Sequence, residues 1–213
     1  MGARDLGQQL APASAIQAYL DTHAHAHAPT AQSPHATELH HLAIQIAHNL
    51  RYQHLWTDVC LHTHSALAAR PLPRPMISGV PPQRLYVHPD EQIELLQQQK
   101  DEGKSGTGMP ELSREREWVL PSHLREKWSL RRFGETFNSL TVVPPPPPPP
   151  PSTPTPAGDS DELNYDFAHV PDHLEPSKWR TSLPKRLLLA TLDDDSTVVY
   201  YIVHDGLVKP RQN

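Results

Sequence analysis

Apolar residues recur most regularly in the stretch TELHHLAIQIAHNLRYQH, residues 37–54. Their spacing of three and four places them on one face of a helix. The members of this stripe are Leu39, Leu42, Ala43, Ile46, Ala47 and Leu50. We predict a helix with Thr37 as its N-cap and Glu38 favourable in the first turn. The histidines mostly off the stripe, which we expect to be solvated rather than metal ligands, are His40, His41 and His48.

Shorter patterns of apolar and polar residues follow this helix along the chain. WTDVCLHTH, residues 56–64, alternates with a period of two and predicts a half-buried strand with Val59 on one face and Trp56 on the other. RPLPRPMISGVPPQ is predicted to be a proline-rich connection, and RLYVH, residues 84–88, a short strand. PDEQIELLQQQK predicts a helix that begins at Pro89 or Asp90. Its inner face is predicted to carry Ile93 and Leu96.

A further apolar pattern lies in EWVLPSHLREKWSLRRFGETF. It predicts a short extended piece, a cap at Ser122 after Pro121, and a helix with Leu124, Trp128 and Phe137 facing inward. The basic residues of this helix are Arg125, Lys127, Arg131 and Arg132. A tryptophan beside such a cluster can contact RNA. We favour the alternative, a core tryptophan beneath a solvated basic face.

The densest β pattern is at the end of the chain, where KRLLLATL and STVVYYIVHDG flank Asp193, Asp194 and Asp195. The two apolar runs predict strands joined as a hairpin, and their near-continuous apolar character predicts burial on both faces. A hairpin needs a polar turn but not three negative charges at one tip. The tip is therefore either a solvated cap or a plug for a basic socket on another molecule.

The composition indicates that only part of the chain contributes to the folded core. Proline is 25 of 213 residues and hydrophobic residues are only 37%, so we expect the core to come from part of the sequence. We predict a disordered His/Ala-rich tail at residues 1–35 and one domain at 36–213. A loop at 101–113 and a proline-rich linker at about 144–162 interrupt that domain.

Two low-complexity features lie in these interruptions. Eight prolines, Pro144–Pro151, predict a polyproline II rod, which we interpret as a spacer; recruitment of an aromatic groove is the alternative. His23, His25 and His27 alternate in the tail and are a weak metal-binding pattern, which we interpret as adventitious.

Charge and cysteine content exclude several classes of protein. The net charge of −5 gives no global reason for nucleic-acid binding. Cys60 is the only cysteine, so no intramolecular disulfide forms and we expect a reducing compartment. There is no secretory signal and no apolar run near the roughly 20 residues that cross a bilayer, so we expect a soluble intracellular protein.

No motif in the sequence predicts catalysis, a metal site or a cofactor. A glycine-rich phosphate loop, a zinc-spaced cysteine pair and a nucleophile elbow are all missing from it. His204 stands beside Asp205, which could orient an imidazole, but we interpret this strand-end histidine as structural.

LPKRLLLATLDDDSTVVYYIVHDGLVKPRQN, residues 183–213, closely resembles the C-terminus of the small non-catalytic subunit of the eukaryotic tRNA-splicing endonuclease, the Sen fifteen type. DSTVVYY followed four residues later by DG is the specific feature. HHLAIQIAHNLRYQHLWTDV and RLYVHPDEQIELL are similar to the family's upstream elements, and the whole resembles the fungal branch. The likeness covers residues 36–100 and 183–213 well.

The resemblance implies an α/β fold with a mixed β-sheet flanked by helices, like the C-terminal domain of tRNA-intron endonucleases. It implies a heterotetramer with two catalytic subunits and a larger structural subunit, which would bring this chain to pre-tRNA indirectly. Asp193, Asp194 and Asp195 match an acidic loop that enters a basic pocket on the opposite half. The matching C-terminal strand, whose edge pairs with a catalytic subunit, holds Val199, Tyr200, Tyr201, Ile202, Val203 and His204.

The resemblance also implies that this chain is not the nuclease. Catalytic relatives use a Tyr, a His and a Lys, and Lys185 stands roughly where their lysine does. The glycine-rich segment that should bring Tyr and His is missing, and the proline rod and NYDFAHVPDHLEP stand in its place.

Further expectations follow from the resemblance and from the free edge strand. We expect the nucleus, with the cytosolic face of mitochondria as the alternative, and a homodimer when partners are absent, since a free edge strand invites self-pairing. The main alternative function is a proline-rich adaptor acting through Pro144–Pro151. A stand-alone RNase using the histidines is a third reading.

Overall fold

The computed structural model describes residues 34–68, 70–103, 112–146 and 177–207. The helices are α1 (Thr37–Tyr52), α2 (Pro89–Asp101), α3 (Leu130–Ser139) and α4 (Lys178–Ser182). The strands are β1 (Thr57–His64), β2 (Pro71–Val80), β3 (Glu117–His123), β4 (Arg186–Leu192) and β5 (Val198–His204). Residues 1–33 of the predicted tail, with the histidines at 23, 25 and 27, lie outside these ranges, as do most of the loop and most of the proline-rich linker.

The five strands form one mixed sheet in the order β1-β2-β3-β4-β5. Neighbouring strands are antiparallel except β3 and β4, which are parallel. A parallel pair needs a long crossover, and the chain between β3 and β4 provides one. The predicted α/β fold with a mixed sheet and flanking helices is confirmed. No helix in the described ranges has the length and apolar character to cross a membrane.

The sheet is covered on both faces by apolar side chains. On one face the α1 stripe packs against residues that include Trp56, Ile77, Val119, Leu188 and Ala190. On the other face Phe137 and Leu140 pack against residues that include Leu72, Met76, Trp118, Leu120 and Leu187. Burial of this apolar surface is the main stabilising contribution to the fold.

The predicted α1 is confirmed, but two details of it were wrong. Thr37 is already helical, so the extended residue before it, Ala36, holds the N-cap position without a side-chain hydrogen bond. His40 is buried rather than solvated, with its ring edge-on to the ring of His35. His35 Nε2 in turn lies 2.7 Å from the carbonyl oxygen of Leu72, so residues before the helix fold over His40.

β1 is confirmed as a strand, but its faces do not alternate as predicted. The register with β2 shifts between Thr57 and Cys60, and Asp58 has a φ of 49°. An irregularity of this kind turns the strand and changes the face of the residues that follow. As a result Trp56 and Val59 both pack into the core beneath α1.

The segment predicted to be a proline-rich connection is the long strand β2, and that prediction was wrong. Pro71, Pro73 and Pro75 are two residues apart, so the N–H groups they lack all fall on one edge of the strand. β3 joins β2 only at residues 77–79, beyond the prolines. The part of β2 that pairs with β3 therefore does not need the N–H groups that the prolines lack.

Gly79 of β2 lies directly against the side chains of Trp56 and Val59. A Cβ there would be 2.9 Å from Trp56 Cε3 and 3.2 Å from Val59 Cγ2. We expect Gly79→Ala to lower the free energy of unfolding by about 1–3 kcal/mol through overpacking. Gly134→Ala in α3 is the matched control, because a Cβ at Gly134 meets nothing within 4 Å. It should raise stability by about 0.5–1 kcal/mol, since alanine is the better helix former. Urea unfolding measures both, and two changes of the same sign would contradict this packing.

The segment 84–88 was predicted to be a strand, but it has no sheet partner among the described residues. Side chains hold it instead: Arg84 pairs with Glu91 at 2.9 Å, and Arg186 lies 5.3 Å from the ring centre of Tyr86. α2 begins at Pro89 as predicted, with His88 Nδ1 accepting a hydrogen bond from the backbone N–H of Asp90 at 3.2 Å.

The predicted inner face of α2 was wrong. Ile93 and Leu96 are exposed, whereas Glu91 is buried against Arg84. Glu94 accepts from Lys178 Nζ at 2.5 Å and from Trp179 Nε1 at 3.1 Å. Polar contacts rather than an apolar stripe therefore attach α2 to the domain.

The predicted cap at Ser122 was also wrong. Pro121 and Ser122 belong to β3, and α3 begins only at Leu130, capped by the side chain of Ser129. Leu124 is exposed rather than inward-facing, while Phe137 is buried as predicted.

Trp128 packs against the core, as we favoured. Its Nε1 donates to Ser122 Oγ at 2.7 Å, and its ring stacks on Phe133 at 4.7 Å between centroids. The guanidinium of Arg132 lies 4.4 Å from its ring centre.

Candidate subunit interface

β5 is an edge strand of the sheet. It pairs residue for residue with β4, from Arg186–His204 to Leu192–Val198, and has no partner on its other side among the described strands. Val199, Tyr201 and Ile202 are exposed, with Tyr201 57% accessible. The prediction of burial on both faces therefore holds for β4 and is wrong for β5, whose side chains are only partly covered. An unpaired apolar edge is a ready site for pairing with another strand.

The inward-facing residues anchor β5 firmly. The hydroxyl of Tyr200 donates to Asn49 Oδ1 at 2.6 Å, and burial raises the pKa of this phenol. Val203 packs against the core on the other face together with Leu189. His204 lies at the end of the strand, paired in register with Arg186. The edge that β5 presents is thus held in place before any partner arrives.

Two of the three aspartates at the hairpin tip shape the turn. Asp193 Oδ1 accepts from the backbone N–H of Asp194 at 2.7 Å. Asp195 Oδ1 accepts from the backbone N–H of Thr197 at 2.8 Å, and hydrogen bonds from Thr197 lower the pKa of Asp195. Ser196 takes a positive φ of 69°. Side-chain bonds of this kind are the reason Asp favours turns.

Asp194 reaches back to its own domain. Its carboxylate pairs with the guanidinium of Arg125 and lies 3.2 Å from His123 Nε2. Arg125 was expected to be solvated, and the 69 residues between it and Asp194 leave no local sequence signal for the contact. Exposed pairs of this type are worth at most about 1 kcal/mol, so a stronger basic site can displace Arg125.

The family model for Sen15 protein matches residues 45–148 and 154–213. The chain belongs to the Sen15 family. The probable tRNA-splicing endonuclease subunit tsp-1 of Neurospora crassa is 44% identical over 169 residues, which are 79% of this chain and 64% of that protein. This Sen15-family chain therefore spans less than two thirds of the relative's length.

Lys185, where catalytic relatives were expected to carry their lysine, serves the fold of this Sen15-family domain. Its Nζ donates to the carbonyl oxygens of Phe137 and Leu140, both at 2.9 Å. These carbonyls end α3, where a cation is favourable. The residues predicted to stand in place of the Tyr and His segment lie largely outside the described ranges. Within those ranges no three His, Cys, Asp or Glu side chains group as metal ligands would.

His62 couples stability to pH. Burial, and then the charge of Arg116, lower the pKa of His62 from 6.5 to about 4. Ser78 Oγ lies 2.8 Å from His62 Nε2 and accepts from Arg116 Nη1 at 3.1 Å, so its O–H is placed to donate to a neutral imidazole.

We expect the stabilisation from neutral His62 to be complete above pH 6.5 and lost as the pH falls toward 4, because the unfolded chain takes up the proton first. The change is about 2 kcal/mol after allowance for partial exposure. Urea unfolding across this range measures it. His62→Gln should flatten the slope, and His41→Gln, at an exposed position, should leave it unchanged. Equal slopes in the wild type and His62→Gln would contradict the assignment.

Proposed function

We propose that this chain is a non-catalytic structural subunit of a tRNA-splicing endonuclease that supports the removal of introns from pre-tRNA. The observation that carries the proposal is the free, apolar edge of β5 beside an acidic hairpin tip in a member of the Sen15 family. The similarity to a protein described as a probable tRNA-splicing endonuclease subunit supports this process. The partners are two catalytic subunits and a larger structural subunit, and contact with pre-tRNA is indirect.

β5 pairs with a strand of a catalytic subunit in this proposal. Backbone hydrogen bonds along the edge give affinity, and the exposed side chains of Val199, Tyr201 and Ile202 add apolar burial and register. In isolation the same edge pairs with a second copy of the chain.

The tip, Asp193–Asp195, docks into a basic pocket on the opposite half of the assembly. Charge-assisted hydrogen bonds contribute about 1.5–3 kcal/mol each in gross terms, and desolvation offsets part of this. Asp194 must also leave Arg125, which costs little because that pair is exposed. The tip therefore supplies specificity and register more than raw affinity.

The hydrogen bonds of Lys185 to the end of α3 support the structural role in this proposal. A lysine without a positioned acid and base cannot run the cleavage, in which a 2′-hydroxyl attacks the phosphate. We place the subunit in the nucleus, with the cytosolic face of mitochondria as the alternative; imaging of a tagged chain decides between them.

Co-purification of the tagged full chain, with its stoichiometric partners identified, tests the assignment directly. Recovery of endonuclease subunits is the expected result. Deletion of Pro144–Pro151 separates the main alternative, a proline-rich adaptor: the endonuclease subunits should still co-purify, whereas an adaptor would lose its partners. Absence of endonuclease subunits from the purified material would reject the proposal.

Replacing Asp193, Asp194 and Asp195 together tests the tip. We expect the triple alanine variant to weaken assembly while the domain stays folded. The triple asparagine variant is sharper, because an amide oxygen still accepts the turn hydrogen bonds that Asp193 and Asp195 make while the charge is lost. Size-exclusion chromatography at low concentration should show loss of the complex for both variants. An intact complex with the asparagine variant would show that charge at the tip is not used.

A further inference from the structure

A cavity lies at the end of the β4–β5 hairpin opposite the acidic tip. It measures about 50 Å³, enough for a small ion or a few waters. Its polar lining is Tyr86, His88, Arg180, Arg186 and His204, and Leu207 is among its apolar walls. Every charged or titratable side chain in this lining except the phenol is cationic or can become so.

The cavity is the terminus of a buried chain of ion pairs. The pairs are Glu91–Arg84 at 2.9 Å, Arg84–Glu115 at 3.1 Å, Glu115–Arg186 at 2.7 Å, Arg186–Glu117 at 2.5 Å and Glu117–Arg180 at 3.1 Å. Charges alternate along this chain, which begins with a carboxylate and ends with the guanidinium of Arg180. Among the described residues, Arg180 pairs only with Glu117, which it shares with Arg186. The chain of ion pairs therefore ends on a guanidinium that lines the cavity.

Arg180 is only 2% exposed, yet two of its guanidinium nitrogens, Nε and Nη2, have no hydrogen-bond acceptor among the described residues. Its Nη2 is near Glu117 but not aligned for a hydrogen bond, and its Nε has no acceptor among the described residues. His204 Nε2 is likewise buried without a partner in the described part of the chain. Buried donors without acceptors are unfavourable, and burial of a guanidinium is tolerated best when it is fully paired.

The electrostatics of the cavity agree with this geometry. Burial, and then the charges of Arg186, Arg180 and His88, lower the pKa of His204. Because His88 Nδ1 accepts from the backbone N–H of Asp90, the ring proton of His88 is carried on Nε2, which is a further donor. The side chains around His204 thus make a positive potential, in which an anion is favourable.

We propose that this cavity binds one phosphate-type oxyanion, held by Arg180 and His204. Donors from α4 and β5 approach from different elements, which suits the several oxygens of a tetrahedral oxyanion better than the two oxygens of a planar carboxylate. The source is either free inorganic phosphate or a phosphate group of a nucleic acid. The site does not depend on the proposed assembly role, because its lining belongs to one chain.

Titration of the isotope-labelled full chain with inorganic phosphate at constant ionic strength tests the proposal by NMR. Backbone amides of residues 180, 204 and 207 should shift. His204→Gln should weaken the binding about tenfold or more, since one charge-assisted contact is removed. Arg131→Gln is the matched control, because Arg131 is exposed and pairs only with Glu135 among the described side chains. This variant should retain the affinity within about twofold.

Further measurements identify the source of the phosphate group and test the role of Arg180. A short 5′-phosphorylated ribonucleotide oligomer that binds more tightly than phosphate at the same amides assigns the nucleic-acid source, and equal or weaker binding assigns the free ion. Arg180→Lys keeps the charge and removes Nε, and should weaken binding if it folds; His204→Gln decides alone otherwise. Absence of shifts at these amides, an equal loss in Arg131→Gln, or occupation by acetate in place of phosphate would overturn the proposal. Acetate binding would instead indicate an acidic side chain of a partner.

Discussion

Replacing Glu117 by glutamine will lower the free energy of unfolding by about 3–5 kcal/mol. Glu117 is 3% exposed and accepts from Arg186 Nε at 3.1 Å and Arg186 Nη2 at 2.5 Å. Burial alone would lower the pKa of Arg186, but the hydrogen bonds and charge of Glu117, together with Glu115, raise it. Glutamine removes the charge that serves both Arg186 and Arg180, and so leaves buried positive charge without compensation.

Urea unfolding followed by circular dichroism measures this loss. Glu135→Gln is the matched control, since Glu135 pairs with Arg131 at 3.0 Å on the surface of α3. The control should change stability by no more than about 0.5 kcal/mol. Equal effects of the two substitutions would mean that the buried pairs carry no more of the stability than an exposed one.

Tyr201→Glu will reduce the affinity of the chain for its pairing subunit by at least about tenfold, while the unfolding midpoint of the isolated chain changes little. Tyr201 is exposed on the free edge strand, so the substitution leaves the domain core intact. Substitutions at such surface positions usually alter stability by no more than about 0.5 kcal/mol. In the assembly, however, a carboxylate would replace apolar contact and would have to be desolvated without a partner.

Co-expression with the catalytic subunits, followed by pull-down and size-exclusion chromatography with light scattering, measures this effect. The self-association of the isolated chain should fall with it. Leu130→Glu serves as the control, because Leu130 is 91% exposed at the start of α3, away from the edge. A complex that tolerates Tyr201→Glu as well as Leu130→Glu would remove β5 from the interface.

The parts of the fold that the sequence predicts well are those in which apolar periodicity is strong and local. α1 and the β4–β5 hairpin belong to this group, since each pattern is sustained over its whole element. β2 escaped prediction because three prolines outweighed the apolar run after them, and only the pairing with β3, which is confined to residues 77–79, shows how the strand tolerates them.

The buried charges are the part that sequence reasoning could not supply. Glu117 and Arg186 are 69 residues apart, so nothing local distinguishes them from solvated surface residues. The inner face of α2 was wrongly predicted for the same reason. Ile93 and Leu96 were expected to face inward, but Glu91 is buried instead. The hairpin tip was predicted as a charged turn, but its contact with Arg125 depends on how β3 and β4 are placed in the sheet.

The parallel pairing of β3 and β4 has a consequence for where sequences of this family can vary in length. A parallel crossover already requires a long excursion, and residues 147–176 lie within it, as does the interruption of the family match between residues 148 and 154. Doubling the length of such an excursion costs only about 0.6 kcal/mol of closure entropy. Insertions and deletions can therefore accumulate there over evolution while the strand order of the sheet stays the same.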